Sequence, residues 1–143
     1  MNLKEHMKKA VSMLEERELT FAAVKGNEAI TSRERGVKPL LELIDKGNTL
    51  EDFSAADKVV GAAAAYLYVL LGVNEIYAKV ISRKALEVLK KYGIETEYGT
   101  LADTIINHSG TGFCPMETAV SNAVSPENAL DLIRARLREL SGK

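Results

Sequence analysis

The sequence holds one cysteine, Cys114, no tryptophan, three prolines and two histidines, His6 and His108. A lone cysteine excludes an intramolecular disulfide and a cysteine-rich zinc site. Aromatic residues make up 6% of the chain and form no paired platform on which bases would stack. Charge of one sign is lacking too: 19 Lys and Arg against 20 Asp and Glu leave a formal net charge of −1. That balance gives no electrostatic footprint for nucleic acid or for an anionic membrane. No apolar run reaches the roughly 20 residues of a membrane span. The opening MNLKEHMKKAVSMLEER has no long apolar core of the signal-peptide kind, so a cytoplasmic location is expected. Repeats, low-complexity tracts and long linkers are absent, so residues 1–143 read as a single domain. A chain of this length buries enough surface to need no staple.

What is present is a dominant apolar stretch. Val59 to Leu71 carries no charge and no strong polar group, the mark of a helix buried on every side. The spacing predicts a central helix over Ser54–Leu71. Ser54 would cap it, with Asp57 three residues on in the manner of a capping box, and Gly72 would end it.

Around that stretch the chain alternates. Leu3, Met7, Val11 and Leu14 recur at helical spacing in a first amphipathic helix, with His6 on its polar part. Leu19–Val24 and Glu28–Ser32 flank Gly26-Asn27 and predict a hairpin. Pro39 suits the first turn of a short helix that Gly47 closes. Glu75–Ser82 reads as a third strand. Arg83–Tyr92 reads as a helix stopped by Gly93, and Ile94–Tyr98 as a fourth strand. Ser125 and Pro126 open a last helix, with Leu130, Ile133, Leu137 and Leu140 as its stripe. Strand, helix, strand, helix, strand predicts an α/β fold: a mixed sheet whose N-terminal hairpin is followed by parallel strands.

The chemistry concentrates in NHSGTGFCPMETAV, from Asn107 to Val120. Pro115 suits a first helical position, which puts Cys114 at the N-cap and Glu117 at the third helical residue. A thiol at a helix N-terminus favours thiolate, and His108 lies close enough in sequence to serve as base or proton donor. Glu117 opposes that, since a carboxylate disfavours a second negative charge beside it. The plainer alternative is a partly buried cysteine at a tight turn with Glu117 as a capping acid. Gly110, Thr111 and Gly112 can present backbone N–H groups to an anion, or simply let the chain reverse.

The order helix, hairpin, helix, strand, helix, strand resembles the cytidine-deaminase-like fold, a three-layer sandwich. In that fold a His/Cys-x-Glu motif opens the helix after the hairpin. A Pro-Cys-x-x-Cys motif opens the helix after the third strand. Here the matching residues read as Ala55, Ala56 and Asp57 for the first, and as Ile81 to Ala85, including Ser82, for the second. Alanine cannot bind zinc and neutral serine binds it poorly, so the resemblance implies a metal-free member with no cofactor. The tail is similar to a small uncharacterised prokaryotic family with a zinc-free deaminase-like fold and a Gly-Thr-Gly-x-Cys-Pro-Met-Glu signature.

Three functions follow as expectations. The first is a ligand-binding or regulatory domain, with Asp57, Ser82, Asn107, Gly110, Thr111, Gly112 and Glu117 around a small polar ligand. The second is a thiol-dependent enzyme of transferase type, with Cys114 and His108 as catalytic candidates. The third is a structural or assembly subunit of a homo-oligomer. Nucleic-acid, membrane and metal partners are not expected.

Overall fold

The computed structural model describes residues 3–34, 36–105 and 114–141. Helix α1, Leu3–Glu16, leads into a hairpin of β1, Phe21–Lys25, and β2, Glu28–Ser32. Gly26 makes the turn at φ +57°, a conformation that favours glycine. Helix α2, Lys38–Asp45, carries proline in its first turn, as the sequence predicts. Then follow β3, Ser54–Val60, helix α3, Ala62–Leu71, strand β4, Glu75–Ser82, and helix α4, Arg83–Lys91. Strand β5, Glu95–Ala102, runs on past the expected end at Tyr98. The short α5, Pro115–Ala119, and the longer α6, Pro126–Ser141, complete the elements.

The five strands form one mixed sheet in the order β2-β1-β3-β4-β5. Strand β1 is antiparallel to both β2 and β3. Strands β3, β4 and β5 are parallel, joined by α3 and α4. One face of the sheet is covered by α1, whose Ala10, Met13 and Leu14 pack on Ala22, Val24 and Ala56. The opposite face buries Ala23, Ala55, Ile76 and Ala78 beneath α2, α3 and α4. Helix α6 lies on the outer side of α3 and buries Ala129 and Ile133 there.

The expected helix over Ser54–Leu71 is two elements. Its first seven residues are the central strand β3, paired with β1 on one side and β4 on the other. The helix begins at Ala62, after Gly61 in an extended conformation (φ −97°, ψ 179°). Pairing on both sides outweighs the helix preference of Ser-Ala-Ala-Asp-Lys, because tertiary context overrides weak local propensity. The expectation of burial does hold for α3: residues 62–68 and Leu71 are buried, and Gly72 ends the helix at φ +77°. Ser54 therefore does not cap α3, and its hydroxyl donates to Glu75 Oε1 at 2.8 Å between neighbouring strands.

His6 is a second correction. It is buried on α1, and its Nε2 accepts a hydrogen bond from the Gly26 N–H at 2.9 Å. The helix is thereby clamped to the hairpin turn, and His6 does not lie on a polar surface.

Candidate functional site

The ends of β3 and β4 place two helix N-termini at one edge of the sheet. Helix α4 is capped locally. Ser82 is buried, and its Oγ accepts from the Ala85 N–H at 3.1 Å, satisfying one of the free amides of the first turn. Helix α3 has no such residue, because Gly61 stands at its N-cap.

Its cap comes from α5. Glu117 Oε1 accepts from the Ala62 N–H at 2.8 Å, and Oε2 from the Ala63 N–H at 3.1 Å. A carboxylate across two amides at the positive end of a helix dipole is a favourable placement. The space is made by Gly61: a Cβ there would collide with Oε1 and lie 2.6 Å from Cδ of Glu117. Helix α5 is held in turn by Arg136 of α6, whose Nη1 donates to Pro115 O at 2.8 Å and to Thr118 Oγ1 at 2.9 Å.

Cys114 stands at the N-cap of α5 with Pro115 next, as the sequence spacing requires. Its side chain makes no capping bond, and the residue is half-buried against the core. Its backbone N–H donates to Ile105 O at 3.1 Å. Glu117 occupies the third helical position but turns its carboxylate to α3, not to its own helix.

Asp57 lies on the central strand, facing α3. The Tyr68 hydroxyl donates to its Oδ2 at 2.6 Å, and the Val59 N–H donates to Oδ1 at 3.3 Å. Tyr68 is fully buried, with its ring 6.3 Å from that of Phe21. Desolvation pushes the Asp57 carboxyl up to about 7, against the opposing pull of its hydrogen bonds. Tyr68 is raised well above its ordinary value, first by burial and then by the neighbouring carboxylate. A carboxyl near 7 can donate or accept a proton at neutral pH.

Asp57 and Glu117 thus share the α3 side of the sheet. Glu117 binds the first turn of α3, and Asp57 binds Tyr68 further along it. The Ser82 hydroxyl is used as a cap. Asn107, His108, Gly110, Thr111 and Gly112 lie outside the described residues. A depression of about 410 Å³ opens at the other end of α3, among Gly72, Asn74, Glu75, Tyr92 and Glu95. It includes none of the candidate site residues drawn from the sequence. The roles of Gly61 and His6 escaped the sequence reading because each depends on a partner far along the chain, Glu117 and Gly26, while the role of Tyr68 was hidden because Asp57 reads as helical.

The element order also moves the places where deaminase-like metal ligands would stand. The helix after the hairpin is α2, and the third strand is β3, not Glu75–Ser82. Ala55, Ala56 and Asp57 sit on a strand, while Ser82 ends the fourth strand and caps the helix that carries Ala85. The openings of α2 and α3 read Val37-Lys38-Pro39 and Gly61-Ala62-Ala63-Ala64. Those residues do not fit a zinc ion: they hold no imidazole, thiolate or carboxylate, and the α3 amides already hold Glu117. Among the described residues, no group of three His, Cys, Asp or Glu side chains is placed to hold a metal.

Fold and site define a small α/β domain with a mixed five-stranded sheet and an internally capped central helix. Residues 9–137 match the family described as TM1506, Domain of unknown function (DUF1893), and the chain belongs to that family. It is similar to a solved structure described as a DUF1893 family protein (TM1506) from Thermotoga maritima. The identity is 31%, the TM-score 0.83, and the match covers 95% of this chain and 90% of that one. No curated protein matches the chain. Among the described residues, no helix is long and apolar enough to cross a membrane.

Proposed function

We propose that this chain is a metal-free, deaminase-like domain that binds a small polar ligand beside Asp57, in a sensing or regulatory role. The observation that carries the reading is the Asp57–Tyr68 pair. A core needs no carboxyl on its central strand, and burying one opposes stability unless it is paired. This one is half-buried, held by a single strong hydrogen bond and raised to about 7. It can offer a ligand an O–H donor or a carboxylate acceptor with little change in pH. The deaminase-like part is supported by the element order and by the sheet order β2-β1-β3-β4-β5.

Native mass spectrometry of untagged protein from its own host tests the reading. A retained small molecule is expected on the wild type and is lost from Asp57→Asn, with the fold intact by circular dichroism. A molecule retained equally by both proteins, or by neither, refutes binding at Asp57.

A further inference from the structure

The sheet ends on β5, and among the described residues this strand has a neighbour, β4, on one side alone. Five of its eight residues, Glu95 and residues 97–100, are exposed. Such edges are usually shortened, covered, or broken with lysine or proline. The opposite edge strand, β2, spans five residues. Strand β5 spans eight and contains neither lysine nor proline, and its only charges, Glu95 and Glu97, must be kept apart in any self-pairing. Exposed aromatic surface also collects here. Tyr98 on the strand is 42% exposed, and Tyr92, at the end of the α4 helix that packs along β5, is 37% exposed.

We propose that β5 is a self-pairing edge. Two copies of the chain join their β5 strands antiparallel about a two-fold axis at Tyr98, forming one continuous sheet. The contact is isologous, the same patch on both copies.

Charge and side-chain pairing together select the register. A two-fold axis perpendicular to the sheet keeps like faces together, so the axis must pass midway between one residue of β5 and its own copy. At Tyr98, Glu97 lies opposite the partner's Gly99, Thr96 opposite the partner's Thr100, and Glu95 opposite the partner's Leu101. Every glutamate then meets an uncharged residue. An axis at Thr96 sets Glu95 against the partner's Glu97, and an axis at Glu97 sets that residue against itself. An axis at Gly99 sets Tyr98 against the partner's Thr100 and leaves neither an aromatic nor a threonine pair, and one at Thr100 sets Tyr98 against the partner's Ala102 and leaves no aromatic pair. Like charges directly opposite one another destabilise a strand pair, whereas aromatic and threonine pairs stabilise it. The Tyr98 register avoids the first and supplies both of the second. Tyr98 is paired in register with Ala78, a buried residue of the α3 and α4 face. The two rings therefore meet on that side of the joined sheet.

Sedimentation equilibrium of the full chain at micromolar concentration tests the proposal. The wild type and Tyr98→Phe are expected to be dimers. Tyr98→Glu places two carboxylates face to face on the axis and is expected to weaken the dimer about tenfold or more. Tyr98→Lys, which keeps a long apolar stem, is expected to weaken it similarly. A monomer at every concentration overturns the proposal. So does a dimer that both charged variants leave unchanged, since another face would then hold it.

Discussion

The carboxylate of Glu117 fills the space that a side chain at Gly61 would need. The backbone at Gly61 is of a kind any residue can adopt, so glycine is required there by its neighbour and not by its own conformation. Gly61→Ala should cost about 1–3 kcal/mol by overpacking. Glu117→Ala should cost about 1–2 kcal/mol through the lost cap. The double variant should be more stable than the sum of the two losses, because removing Glu117 makes room for the methyl group. Urea unfolding of all four proteins measures that coupling, and strict additivity would show that the two residues do not compete for one space.

Asp57 should make stability depend on pH in an unusual direction. Its folded value of about 7 lies above the ordinary 3.8, so the folded chain holds this proton more tightly than the unfolded chain. The favourable contribution is complete below about pH 4 and is lost as pH rises through about 7. Asp57→Asn keeps an acceptor for the Tyr68 hydroxyl and cannot ionise. Denaturant unfolding at pH 5 and pH 8 should show the variant more stable than wild type at pH 8 by about 1–2 kcal/mol, after allowing for partial exposure of the group. The advantage should shrink at pH 5. An equal difference at both values would contradict the titration.

Helix α3 should tolerate charge poorly. Ala64 is 6% exposed, and a carboxylate there would lack a partner. Ala64→Glu should destabilise the fold by several kcal/mol or prevent folding. A midpoint near wild type in urea would mean that the helix is not packed at this point.

The anchoring of α5 should govern access to Cys114. With Glu117 bound to α3 and Arg136 bound to Pro115 O, the thiol stays half-buried. Glu117→Ala and Arg136→Ala should each speed its labelling by an aromatic disulfide reagent several-fold, at pH values where the fold is intact. Fast, stoichiometric labelling of the wild type would instead favour the thiol-enzyme alternative.

Much of the architecture was legible because punctuation and period agree. Gly26-Asn27 marks the hairpin, Pro39 the start of α2, Gly93 the end of α4, and Ser125-Pro126 the start of α6. The strand-to-helix switch at Gly61 was not legible. Val59-Val60 and Ala62-Ala63 are apolar on both sides of it, and a short apolar run does not distinguish a buried strand from a buried helix. That one error shifted every inferred ligand position by one element. Glu117 was legible as the third residue of a helix, yet its partner was not, since its target amides lie 55 and 54 residues earlier. The Asp57–Tyr68 pair was hidden by the same misread switch: inside a helix Asp57 would have faced outward as a cap, whereas on a strand it faces Tyr68.

The cap supplied by Glu117 also sets an order of events during synthesis. Residues 54–82 leave the ribosome with a complete strand–helix–strand unit, yet the first amides of α3 have no protein acceptor until α5 emerges. The α6 surface that covers α3 arrives later still. Until then the most apolar helix of the chain is only partly shielded, a state in which nascent chains are prone to aggregate. A stop codon after Thr104 would therefore yield a chain with the whole sheet and an uncovered centre, and chaperones should retain it longer than the full-length product.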